Sequence, residues 1–199
     1  ERMKHHLKTK GFGKPIPEDQ VDDLIKQMHR IKTDRFIELI ESGSLPLRPG
    51  IHRFMKEGAA AGLTLGVCTT SNERAAHAIA YNILKDIPFE FVLAGDIVPK
   101  KKPDPAIYLL ALQKTGLQPK ECLVVEDSRN GVLAAKAAGM HVIATSNFYT
   151  QREDLSDADV IVTMLGDPDG EKGKLIKGDI PDYDGVITVA QLTKLFEQE

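Results

Sequence analysis

Two adjacent carboxylates, Glu126 and Asp127, close the apolar run Cys122-Leu-Val-Val and lead directly into Ser128-Arg-Asn-Gly131 and a run of small residues. Such a run reads as a buried strand, and an open α/β sheet binds its ligands in the crevice outside the carboxyl ends of its strands. One acid there would suffice to cap the next helix. Two exceed that need, and paired oxygen donors suit a magnesium ion. At a second strand end, Thr69-Thr-Ser71-Asn72 offers hydroxyls, an amide and the free N–H groups of a helix start, a place for an anion. Ser71 taken alone would be an ordinary helix cap. At a third, Lys102 precedes Pro103-Asp-Pro105, and the prolines fix the loop so that one ammonium can be aimed at a phosphate and a carboxylate nucleophile together. Lys100 and Lys101 read as solvated charges.

The elements that must position these groups alternate in type. From Pro17 the apolar residues Val21, Leu24, Ile25, Met28, Ile31, Phe36, Ile37 and Ile40 keep helical spacing until Ser42-Gly43, which predicts one long helix bent near Lys32-Thr33. Met3 and Leu7 suggest a shorter helix before it, and Leu45-Pro-Leu-Arg-Pro-Gly50 an extended linker after it. The period then changes. Helices over 50–60, 71–84, 104–115 and 130–139 alternate with strands over 63–69, 89–94, 121–126, 141–145 and 159–163. That order predicts a parallel sheet with helices on both faces. The stretch 166–184, rich in Gly, Pro, Asp and Lys, reads as a surface loop, and Val189–Phe196 as a closing helix.

Composition sets the frame around these elements. The 199 residues are 42% apolar and 28% charged with a net charge of −3, an ordinary globular balance that argues against nucleic acid or an anionic membrane as partner. Cys68 and Cys122 both fall inside strand-like runs and are expected to be reduced core residues, which favours a reducing intracellular compartment. No stretch has the length and apolarity of a membrane span, and the charged opening is not a signal peptide. His5, His6, His29, His52, His77 and His141 show no tight metal-binding spacing.

Thr69, Lys102 and Glu126-Asp127, in that order on successive strand ends, resemble the second, third and fourth motifs of the haloacid dehalogenase-like (HAD) phosphohydrolases. Arg48-Pro-Gly50, Cys68-Thr-Thr-Ser-Asn-Glu73, Ala94-Gly-Asp-Ile-Val-Pro-Lys-Lys-Lys-Pro-Asp-Pro-Ala-Ile-Tyr108, Val124-Val-Glu-Asp-Ser128 and Ala134-Ala-Lys-Ala-Ala-Gly-Met140 resemble the branch that contains β-phosphoglucomutase and the CbbY proteins. The resemblance implies a Rossmann-like α/β HAD core, a parallel sheet flanked by helices, with a partial α-helical cap. The cap would be the C-terminal part of that element, over residues 1–47, and the core would span 48–199. It further implies a magnesium-dependent phosphatase that acts on a small phosphorylated sugar, xylulose-1,5-bisphosphate above all, through an aspartyl-phosphate intermediate. Thr69 would hydrogen-bond the transferring phosphoryl group, Lys102 would stabilise its charge, and Glu126 with Asp127 would hold magnesium.

In the related mutases a cap arginine grips the second phosphate of the substrate, and Arg2 falls where that residue belongs. Lys32, Arg48, Ser71 and Asn72 are expected to join it in a second anion pocket. A monomer is expected, in the cytoplasm or, in a photosynthetic eukaryote, the plastid stroma. Two alternatives stand beside this reading: a sugar phosphomutase of the β-phosphoglucomutase kind, and a phosphate- or metal-binding fragment without catalysis. The family's first motif, Asp-x-Asp-Gly on a strand before the cap, has no counterpart here. Asp167-Pro-Asp169-Gly170 has that spelling but stands in a loop after the last predicted strand. The expectation is that about 60 to 80 residues, one strand and the first cap helices at ordinary element lengths, precede this sequence.

Overall fold

The computed structural model describes residues 11, 13 and 16–196, so Arg2 and the helix expected around Met3 and Leu7 lie outside the described residues. Helix α1 (Glu18–Glu41) runs unbroken through Lys32-Thr33, without the bend expected there, and has Pro17 as its N-cap. It buries Ile25, Ile37 and Ile40 and ends at Gly43, whose φ of +67° suits a residue without a side chain. The chain divides between Leu45 and Pro46 into two compact units.

The second unit contains, in order, α2 (Ile51–Ala60), β1 (Leu65–Cys68), α3 (Glu73–Ala78), β2 (Phe89–Leu93), α4 (Ala106–Thr115), β3 (Leu123–Glu126), α5 (Arg129–Ala137), β4 (His141–Thr145), β5 (Val160–Val162), β6 (Leu175–Lys177) and α6 (Val189–Phe196). Strand β4 shows why the alternation arises. All five of its residues are buried; Val142 and Ala144 join one apolar cluster with Ile107, Tyr108, Val132 and Ala135, while Ile143 joins another with Val160, Leu165, Ile187 and Leu192. A strand covered on both faces is apolar along its middle, as Val142-Ile-Ala144 is here, and keeps its polar residues, His141 and Thr145, at its ends. Burying each such Val or Ile side chain stabilises by about 1.5–3 kcal/mol.

Three local expectations are corrected. Helix 71–84 is a short α3 that continues as a π-helical turn over Ile79–Ile83. Asn72, not Ser71, caps it, its Oδ1 accepting from the Ala75 amide at 3.4 Å. The loop 166–184 contains β6, which pairs with β5 antiparallel, so the sheet is mixed at that edge. All three residues of β6 are exposed, which removes the apolar alternation that would have announced it, and Lys174 just before it and Lys177 at its end are the charges that edge strands often carry.

The strands form two groups. β1 pairs in parallel with β2, and β3, β4, β5 and β6 form a four-stranded sheet in that order. Among the described residues β1 and β3 each have one neighbouring strand and stay half-exposed, in contrast to the enclosed β4.

Candidate active site

The carboxyl ends of β1 and β3 are joined by one ammonium group. Lys102, in the loop before α4, donates from Nζ to the Cys68 carbonyl at the end of β1 (2.9 Å), to Tyr108 Oη (2.9 Å) and to Glu126 Oε1 at the end of β3. The side chains of Lys102 and Glu126 are both 10% exposed. Tyr108, on the first turn of α4, also donates its hydroxyl to Glu126, and the Lys102 ammonium lies 4.6 Å from its ring centroid. Burial, and next the Glu126 carboxylate, push the phenol far above its ordinary value. It therefore stays protonated and donates. The outcome is a buried, neutralised and hydrogen-bonded pair, the condition a pair of charges needs to survive out of water.

Gly131 makes room for this pair. A Cβ placed there would lie 1.9 Å from Glu126 Oε2 and 2.1 Å from its carboxyl carbon, so the third residue of α5 has no side chain because the Glu126 carboxylate occupies the space.

Asp127 is placed differently from its neighbour. Ser128 caps α5, accepting from the Gly131 amide at 3.2 Å, and Glu153 takes the Arg129 amide at 2.7 Å, so neither of these two amides requires Asp127 as a cap. The Asp127 carboxylate accepts a 3.4 Å bond from Asn147 Nδ2. Its pKa is raised by partial burial and then by Glu126, with Arg48 opposing. The charged form of Asp127 is thus disfavoured by its setting, a condition that a cation at its carboxylate would relieve.

Thr69 lies just beyond β1. Its amide donates to the Leu93 carbonyl at 2.9 Å, and its Oγ1 accepts from the Ser71 amide at 3.1 Å, which leaves the hydroxyl proton as a donor. The Ser71 carbonyl accepts from Gly95 at 2.8 Å and ties the loops after β1 and β2 together, while the Ser71 and Asn72 side chains are exposed.

Arg48 makes four hydrogen bonds within its own unit: to Thr145 Oγ1 (2.7 Å) and O (3.2 Å), Ser146 O (3.0 Å) and Thr163 O (2.6 Å). Its guanidinium fastens the ends of β4 and β5 to each other. Lys32 is exposed on α1, and Arg2 lies outside the described residues. The structure therefore brings Thr69, Lys102, Glu126 and Asp127 to strand ends of one unit, the unit that also holds Arg48, Ser71 and Asn72, while Lys32 belongs to the other. Tyr108, Gly131, Asn147 and Glu153 were not anticipated.

The donor chemistry fits magnesium in kind, with carboxylate oxygens and an Asp127 carboxylate whose charged form is disfavoured without a cation. Among the described residues no three His, Cys, Asp or Glu side chains come together as a metal site. Glu126 is engaged by Lys102 and Tyr108, which leaves Asp127 as the open carboxylate. Asp167-Pro-Asp169-Gly170 has a structural role: Asp167 accepts from the Gly50 amide at 2.8 Å, just ahead of α2, and lies 3.5 Å from Arg53 Nε. The same spelling recurs at Asp182-Tyr-Asp184-Gly185, where Asp184 accepts from the Val186 amide and pairs with Lys172 at 3.3 Å.

Strand-end groups of this kind on an α/β sheet agree with what comparison shows. Residues 5–139 match the haloacid dehalogenase-like hydrolases, and the chain belongs to that family. It is 43% identical over 176 residues to a CBBY-like protein of Arabidopsis thaliana, across 86% of this chain and 55% of that protein. The CbbY protein of Rhodobacter capsulatus is 42% identical over 163 residues, across 80% of this chain and 69% of its own length. The crystal structure of a CbbY mutant from Rhodobacter sphaeroides in complex with xylulose-(1,5)bisphosphate has a TM-score of 0.68 and 37% identity, covering 82% of this chain and 72% of that one. The chain spans little more than half the length of the Arabidopsis relative.

Proposed function

We propose that this protein is a magnesium-dependent phosphatase of a small phosphorylated sugar, with xylulose-1,5-bisphosphate the favoured substrate, and that the residues above form the phosphoryl-binding half of its site. One observation carries the reading: Lys102 joins the end of β1 to Glu126 at the end of β3, with Asp127 open beside them and Thr69 just past β1. The ligand named for the Rhodobacter sphaeroides CbbY structure supports the substrate class.

In this reading the nucleophile is supplied, as the family pattern has it, by an aspartate pair on a strand, for which the edges of β1 and β3 left uncovered among the described strands are the place. One aspartate oxygen attacks phosphorus and the bond to the sugar oxygen breaks. The second aspartate protonates that oxygen as it leaves, and water then cleaves the aspartyl-phosphate to inorganic phosphate. Lys102 offsets the negative charge that collects around nucleophile and phosphoryl oxygens, and the Thr69 hydroxyl donates to one of those oxygens. Magnesium, when bound, supplies further charge neutralisation, with Asp127 as a carboxylate ligand from this chain. Glu126 keeps Lys102 in place. Positioning and electrostatics of this sort are what phosphoryl transfer chiefly requires.

The test is a phosphate-release screen of the protein with its aspartate strand against sugar mono- and bisphosphates, with and without magnesium. Release that needs magnesium and disappears in Asp127→Asn supports the reading. Release indifferent to both refutes it, and turnover that retains the phosphoryl group and needs a sugar bisphosphate primer would establish a mutase instead.

A further inference from the structure

Lys102 has three N–H bonds to donate and three acceptors around it: the Cys68 carbonyl, Tyr108 Oη and Glu126 Oε1. None is left over for a phosphoryl oxygen. The three acceptors are not equivalent. Glu126 carries the compensating charge of a buried pair, so letting go of it would strand two charges, and Cys68 is main chain at the end of a strand. Tyr108 is the neutral partner, and its hydroxyl keeps its bond to Glu126 whether or not it also accepts from Lys102.

We propose that Tyr108 is a positioning residue: its hydroxyl fixes Glu126 by donation and holds one Lys102 N–H in place until a phosphoryl oxygen takes over as acceptor. This rests on the reading of the site as one for phosphoryl transfer. Tyr108 is also 4% exposed and packs in the main apolar cluster. Phenylalanine would fill that packing equally well, so the hydroxyl is what separates a positioning role from a merely structural one.

The experiment compares wild type, Tyr108→Phe, Glu126→Gln and the double variant. Its first readout needs no substrate: the rate of reductive methylation of each lysine, followed by peptide mass. Lys136, paired with Asp159 at 2.7 Å, serves as the internal reference. Tyr108→Phe should raise the methylation rate of Lys102 severalfold relative to Lys136. The second readout is phosphate release, where kcat should fall about tenfold with KM nearly unchanged, the low end of what losing an orienting partner costs. In the Glu126→Gln background the same change should add little, because both act through one ammonium.

An unchanged Lys102 rate overturns the proposal whatever the activity does. A raised rate with kcat intact also overturns it, since Lys102 would then need no holding. A raised rate with no release by any version supports the placement of Lys102 by Tyr108 and sinks the phosphatase reading alone. If Tyr108→Phe melts far below wild type, Glu126→Gln probes the same contact from its other side, and an unchanged Lys102 rate there overturns the proposal too.

Discussion

Gly131→Ala isolates the reason the site is built as it is. In most helices this change stabilises by about 1 kcal/mol, since glycine is the poorer helix former. Here the added Cβ would lie 1.9, 2.1 and 2.6 Å from Glu126 Oε2, Cδ and Oε1. Ordinary contacts begin near 3.5 Å, so the carboxylate has to retreat by roughly 1.5 Å. A free glutamate end would swing aside at little cost. This one is held by Lys102 and Tyr108, and moving it breaks a buried pair, which costs about 3–5 kcal/mol. The net expectation is a loss of about 2–4 kcal/mol after the helix gain is subtracted. Urea unfolding measures it, as a lower midpoint at an unchanged slope. In a Glu126→Ala background the obstacle is absent, and the same substitution should become neutral or stabilising by up to about 1 kcal/mol. Wild-type or greater stability for Gly131→Ala in the native background would refute the claim that the Glu126 carboxylate is pinned.

Arg48→Lys should destabilise by about 2–4 kcal/mol in the same unfolding assay, because an ammonium cannot reach four acceptors spread over Thr145, Ser146 and Thr163 as a planar fork does. Magnesium should raise the melting temperature of wild type and leave that of Asp127→Asn unchanged, while without the ion Asp127→Asn should match or exceed wild type, since the native environment disfavours the charged carboxyl. Burial pushes the Cys68 thiol from 9.0 up to about 12, so at pH 8 its thiolate fraction is about 10⁻⁴ and iodoacetamide should label Cys122 well before Cys68 until denaturant is added. The same shift gives a sign for stability: the unfolded thiol ionises near 9.0 and the native one resists until about 12, so the Cys68 contribution is complete below pH 9 and is lost as pH rises toward 12. Cys68→Ala should flatten that alkaline limb.

The alternating architecture was legible because each strand and its covering helix follow different periods, and because β4 is apolar on both faces over Val142-Ile-Ala144. β6 was not, for three exposed residues between glycines and lysines bury nothing and so leave no pattern to read. The break of helix 71–84 into α3 and a π-helical turn was equally silent, since Ile79 and Ile83 keep an apolar spacing that either geometry accepts. Thr69, Lys102 and the acid pair could be picked out because polar groups ending apolar runs are conspicuous. Asn147 stands twenty residues past Asp127 and meets it only because β3 and β4 are neighbours with Glu126 opposite Ala144. Tyr108 was hidden by its own helix, where an aromatic residue reads as core, and it is core as well.

The two acids that begin as equals in the sequence end with different work. Successive residues of a strand project to opposite sides, so Glu126 and Asp127 cannot both face one point from an extended backbone. Glu126, the last residue of β3, turns to Lys102 and Tyr108 and completes a neutral group. Asp127, at the start of the turn, meets Asn147 and feels Arg48 only as a counter-charge. Because Lys102 is balanced by Glu126, the charge of Asp127 has no ion-pair partner of equal closeness among the described residues, and an external cation is its complement. Exchange of the two acids, Glu126→Asp with Asp127→Glu, keeps composition and net charge but shortens the arm that reaches Lys102. It should therefore lower stability without magnesium, whereas a site in which the two acids were interchangeable ligands would leave stability unchanged.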